Sequence, residues 1–80
     1  MCKNITTLFN FDPPATDEEI RAASLQFVRK ISGFNSPSTA NAAAFNQAVD
    51  QVADAAATLL RSLVTHAPLR NREAEQARRR

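Results

Sequence analysis

The chain has a single cysteine, Cys2, so no disulfide can form within it. Its single glycine, Gly33, rules out a glycine-rich phosphate-binding loop. Its single histidine, His66, has no cluster of Cys, Asp or Glu beside it, and no metal-ligand set is expected. No apolar run approaches the roughly 18 residues of a membrane span. Lys3 is not followed by the apolar segment of a secretory signal. A lone thiol without such a signal fits a reducing compartment, so a cytoplasmic protein is expected, with no membrane association. What remains is a chain of 80 residues. A domain that small buries only about 60% of the surface its unfolded form exposes, and it needs a staple or a second subunit.

The net charge of +2 is unevenly spread. Residues 1–68 hold five bases against six acids, a balance of −1. Residues 69–80 hold Arg70, Arg72, Arg78, Arg79 and Arg80 against Glu73 and Glu75, a balance of +3. The chain therefore divides into a near-neutral helical domain, 1–68, and a basic tail, 69–80, with no apolar stripe to fix it. Such a tail is suited to an acidic partner.

Two helices are legible. Asp12-Pro13-Pro14 stops anything before it, because proline lacks an amide hydrogen and restricts its predecessor. Thr16 and Glu19 then form a capping box, and Asp17, Glu18 and Glu19 place negative charge at the positive end of the helix dipole. These carboxylates read as helix-start charge and not as an acid–base pair. Ile20, Ala23, Phe27 and Ile31 follow on one face, widened by Ser24 and Val28. Gly33 with Phe34 predicts a Schellman ending, so the first helix spans about Asp17 to Ser32. Ser36 with Pro37, or alternatively Ser38, opens a second helix that Ala67-Pro68 closes near Thr65. Ahead of both, Ile5, Leu8 and Phe9 fit either one or two helical turns or an ordered arm.

The second helix carries an apolar seam, Phe45, Val49, Val52, Ala56, Leu59 and Leu63, in alternating steps of four and three. It should run on the order of 40 Å, against about 24 Å for the first helix. The shorter rod covers little more than half of the longer one. The expected fold is all-α: a helical hairpin with a short N-terminal segment and a basic C-terminal tail.

The sequence also resembles a known family. The opening MCKNI, the blocks PPAT and VRKISG, and the later AF of an Asn/Ala-rich helix are similar to those of an uncharacterised bacterial family, domain of unknown function 2277 (DUF2277). That resemblance implies no activity. A second resemblance, of layout alone, is to a J-domain: a Pro/Ala linker into an Asp-Glu-Glu-Ile helix, a loop, and a long returning helix. The His-Pro-Asp of that module is replaced here by Ile31-Ser32-Gly33-Phe34-Asn35, so the resemblance implies a packing plan and no chaperone activity.

Functionally, the seam outweighs the other features. Phe27, Ile31, Phe45, Val49, Val52, Leu59 and Leu63 are the packing and contact residues, and self-association as a dimer or docking on another protein is the expected role. No catalytic residue and no cofactor is expected. Arg70, Arg72 and Arg78–Arg80, joined by Arg29 and Lys30 if the tail folds back, offer the alternative of a nucleic-acid or ribosome-associated accessory protein. A second alternative rests on Cys2, which would become an N-terminal thiol and amine, able to chelate a metal or act as a nucleophile, if Met1 were removed.

Overall fold

A computed structural model describes residues 5–72. The elements run in the order β1 (Phe11–Asp12), α1 (Asp17–Ser32), a 3-10 turn (Thr39–Asn41), α2 (Ala42–Ser62) and β2 (Arg70–Asn71). The two helices pack antiparallel as a small hairpin. The two short strands pair in parallel, with Phe11 opposite Arg70 and Asp12 opposite Asn71.

Helix α1 starts as its sequence predicts. The Glu19 amide donates to the Thr16 hydroxyl at 3.1 Å, and the Thr16 amide donates to the Glu19 carboxylate at 2.9 Å. Two of the amides that a helix start leaves unpaired are satisfied at once. The other end differs from expectation. Gly33 is left-handed, with φ 78°, and its amide bonds the Arg29 carbonyl at 2.9 Å. The Phe34 amide turns instead to the Ser32 hydroxyl at 3.2 Å, so the ending is the simpler left-handed cap and not a Schellman motif. Phe34 consequently stays exposed. A Cβ added at Gly33 would meet no atom within 4 Å. The cost of Gly33→Ala is thus purely that of the left-handed backbone, about 1 kcal/mol. Urea titration followed by circular dichroism should read that loss with no change in helix content at low denaturant.

Helix α2 is shorter than predicted at both ends. Ser36 and Pro37 lie outside it, and Ser38 precedes the 3-10 turn. The Ser38 hydroxyl accepts from the Asn41 side chain at 3.0 Å and caps no amide. Tight i→i+3 bonding in the turn takes over part of the capping work. At the far end α2 stops at Ser62, not near Thr65. Val64 and Thr65 are β-branched and poor helix formers, and the Thr65 hydroxyl accepts the Ala67 amide at 3.1 Å, a local bond that competes with the helix. With 21 residues against 16, α2 exceeds α1 by roughly 7 Å.

The segment before α1 is the ordered arm and not a helix. Residues 5–8 are irregular, and Asn10 takes a left-handed φ of 67°, which asparagine tolerates better than most residues. The bond between Asp12 and Pro13 is cis. Phe11, the first residue of β1, is buried.

The core lies between the helices. Val28 from α1 and Phe45 and Val49 from α2 are buried together, with Leu25, Ala48 and Val52 packed around them. Ile20 and Ser24 complete the inward line of α1, and the Ser24 hydroxyl satisfies itself on the Ile20 carbonyl at 2.8 Å. The inward line of α1 is therefore Ile20–Ser24–Val28. Phe27 and Ile31, expected at its centre, are exposed on its flank. Phe27 sits about 100° around the helix from Val28, which is enough to take it out of the interface.

Candidate interaction surface

The seam of α2 divides at the middle. Phe45 and Val49 lie inside, Val52 and Ala56 are half-buried, and Leu59 is 55% exposed with Leu63 similarly open. Phe45 and Val49 are thus core residues, which no partner can reach in the folded chain. The boundary falls where α1 begins. Asp17, its first residue, stands 3.8 Å from Arg61, so α1 begins level with the last turn of α2 and covers nothing beyond it.

Two apolar clusters result, one at each end of the hairpin. Phe27, Ile31 (68% exposed) and Phe34 gather where α1 finishes, while Leu59, Leu63 and Val64 (85% exposed) gather where α2 finishes. Among the described residues, seven large apolar side chains are exposed and five apolar side chains are buried, so a large share of the apolar surface faces water. Val64 and Leu69 were not singled out by sequence reasoning. The signal was present in the β-branched Val64-Thr65 pair, which ends the helix early and turns Val64 outward.

Between the arm and the end of α2 lies a groove of about 500 Å³. Leu8, Phe9, Leu60, Val64 and Leu69 line it, with Asn10, Asp17, Arg61 and Thr65 supplying its polar atoms.

The start of the basic tail closes one side of this groove. The Arg70 amide donates to the Asn10 carbonyl at 2.9 Å, and the Asn10 side chain donates to the Pro68 carbonyl at 3.0 Å. Arg72 donates its Nε to the Pro13 carbonyl at 2.9 Å and grips Glu19 with both terminal nitrogens, at 2.6 and 2.9 Å. The Arg70 and Arg72 guanidinium groups lie 5.6 and 5.9 Å from the centre of the Phe11 ring, within cation–π range. Hydrogen bonding from Arg72 holds the Glu19 carboxyl down at about 2, helped by the Thr16 amide. The same contact raises Arg72 above its ordinary value.

This arrangement separates charges that the sequence offered together. Arg70 and Arg72 return to the start of α1, whereas Arg29 and Lys30 stand in its last turn, at the opposite end. Among the described residues, Arg70 and Arg72 do not join Arg29 and Lys30 in one basic surface. Arg78–Arg80 and Cys2 lie outside the described residues. His66 is exposed beyond the end of α2. No group of three or more His, Cys, Asp or Glu among the described residues can hold a metal ion. No helix among them is long and apolar enough to cross a membrane.

Fold and surface together define a small two-helix protein with an incompletely covered hairpin, clasped at one end by its own tail. The family described as uncharacterized conserved protein (DUF2277) matches residues 1–78, and the chain belongs to it. No curated protein and no solved structure gives a match.

Proposed function

We propose that the chain is a non-catalytic assembly module that binds a second copy of itself. The observation that carries this reading is six exposed large apolar side chains, gathered in two clusters at opposite ends of an antiparallel hairpin. A twofold contact sets the first cluster of one copy on the second cluster of the other, and repeats that contact by symmetry. Each end then supplies what the other lacks. The half-buried Val52 and Ala56 lie along the line between the clusters and would complete a continuous strip.

Size exclusion with light scattering tests the reading. The expected mass at micromolar concentration is twice the 8.8 kDa of one chain. Leu59→Asp and Ile31→Asp should each return the protein to a monomer with its helix content intact, since neither side chain belongs to the core. A wild-type monomer of full helicity throughout the micromolar range would overturn self-association.

A further inference from the structure

We infer that Pro68–Arg72 is a latch that opens as a unit while the hairpin stays folded, and that its opening enlarges the apolar surface at the α2 end. The inference rests on the reading of that surface as a docking edge, and deepens it by giving the edge a cover.

The latch is fastened almost wholly by polar contacts. Its anchors are the Asn10–Pro68 and Arg70–Asn10 hydrogen bonds, the Arg72–Pro13 hydrogen bond, the fork of Arg72 on Glu19, and two guanidinium groups over Phe11. The strap itself buries little: Leu69 is exposed, as are Arg70 and Asn71. Segments held by surface hydrogen bonds and little apolar contact open at a small fraction of the global unfolding free energy. The hairpin, by contrast, is held by Val28, Phe45 and Val49, none of which touches the strap cluster. The two parts are fastened by different forces at different places, so one can release without the other.

Release has a defined consequence. Phe11 is buried while the strand pair and the two arginines cover it, and Leu69 is one wall of the groove. Moving the strap away uncovers the Phe11 ring and opens the groove toward Leu60, Leu63 and Val64. The docking edge grows by the residues that the latch had sheltered. Because the strongest fastening is a part-buried ion pair that still reaches water, ionic strength and competing carboxylates or phosphates are the agents that loosen it.

Amide hydrogen exchange on the full chain, resolved by residue, reads the latch directly. The Arg70 amide, bonded to Asn10, reports the strap, and the Val49 amide, in the middle of α2, reports the hairpin. In Arg72→Gln the Arg70 amide should exchange about fivefold faster or more, while Val49 is unchanged. Arg72→Lys keeps the charge without the fork and should fall between the two proteins. Added salt should move wild-type exchange toward that of Arg72→Gln. Asp50→Asn, which breaks the more exposed Arg21–Asp50 pair away from the strap, should leave Arg70 unaffected. If Arg70 and Val49 exchange in step, or if Arg72→Gln leaves Arg70 as slow as before, the latch does not exist. These readings hold for a monomer as for a dimer, so failure of the latch is distinguishable from failure of self-association.

Discussion

Phe45→Ala is expected to remove about 3–5 kcal/mol, the range for deleting a buried aromatic side chain together with the cavity it leaves. A chain of 80 residues has a total stability of roughly 4–12 kcal/mol, so the loss is a large part of the total and unfolds the variant outright at the lower end of that range. The effect is large because the core is small. Only Phe11, Ile20, Val28, Phe45 and Val49 are buried apolar residues among those described, and Phe45 is in contact with the two at the heart of the cluster. Leu59→Ala, four turns further along the same seam, should cost within about 0.5 kcal/mol at protein concentrations where the chain is monomeric. Urea titrations of both variants by circular dichroism check the contrast. A loss below about 1 kcal/mol for Phe45→Ala would mean that the hairpin is not held where its helices meet.

The contrast between Phe45 and Leu59 also shows what a sequence makes legible. Periodicity identified the seam, because a period near 3.5 residues forces one stripe. The lengths of the two rods showed that it must run out of cover. Both were local or additive properties. The capping box at Thr16 and Glu19 and the left-handed Gly33 were equally local, and they are as expected. The rotation of α1 was not legible. Ile20, Ser24 and Val28 against Ile20, Ala23, Phe27 and Ile31 are both good helical lines, and only packing against α2 selects the one through Ser24. The return of the tail was also hidden. Nothing near Arg72 in sequence indicates Glu19, 53 residues away, and a two-residue strand pair leaves no periodicity to read. The charge pattern of residues 69–80 has no apolar stripe and reads as a tail. Arg70 and Arg72 are instead anchored through hydrogen bonds and a ring face, which no hydrophobic pattern registers.

That anchoring weakens the case for those two arginines as free contacts for nucleic acid, since the Arg72 charge is already matched by Glu19. It also makes the hairpin unequal along its length. One end is closed by Val28, Phe45 and Val49, while the other is closed by Ile20 and Phe11 beneath a polar strap. Heat and urea act on both ends. Salt and acid act chiefly on the second.

Acid gives the second large effect. Glu19 serves two structures at once, as the reciprocal half of the capping box and as the acceptor for Arg72. Glu19→Ala should therefore cost about 2 kcal/mol at neutral pH, from a lost cap bond, a lost charge at the helix start and a screened ion pair. In the folded chain the carboxyl is held at about 2, below its ordinary 4.5. The unfolded chain therefore takes up a proton first as pH falls, which favours unfolding. The contribution is complete above about pH 4.5 and is lost progressively as pH drops through 2. Over a third of the Glu19 side chain faces water, so the part that titrates is about 1 kcal/mol. Glu19→Gln separates the two roles, because glutamine can still accept the Thr16 amide but carries no charge for Arg72. Urea titrations from pH 7 to pH 2 should show a wild-type advantage over Glu19→Gln that is flat to about pH 5 and then closes. An advantage that stays constant down to pH 2 would mean that the charge on Glu19 does not hold the tail, and the clasp would reduce to its hydrogen bonds alone.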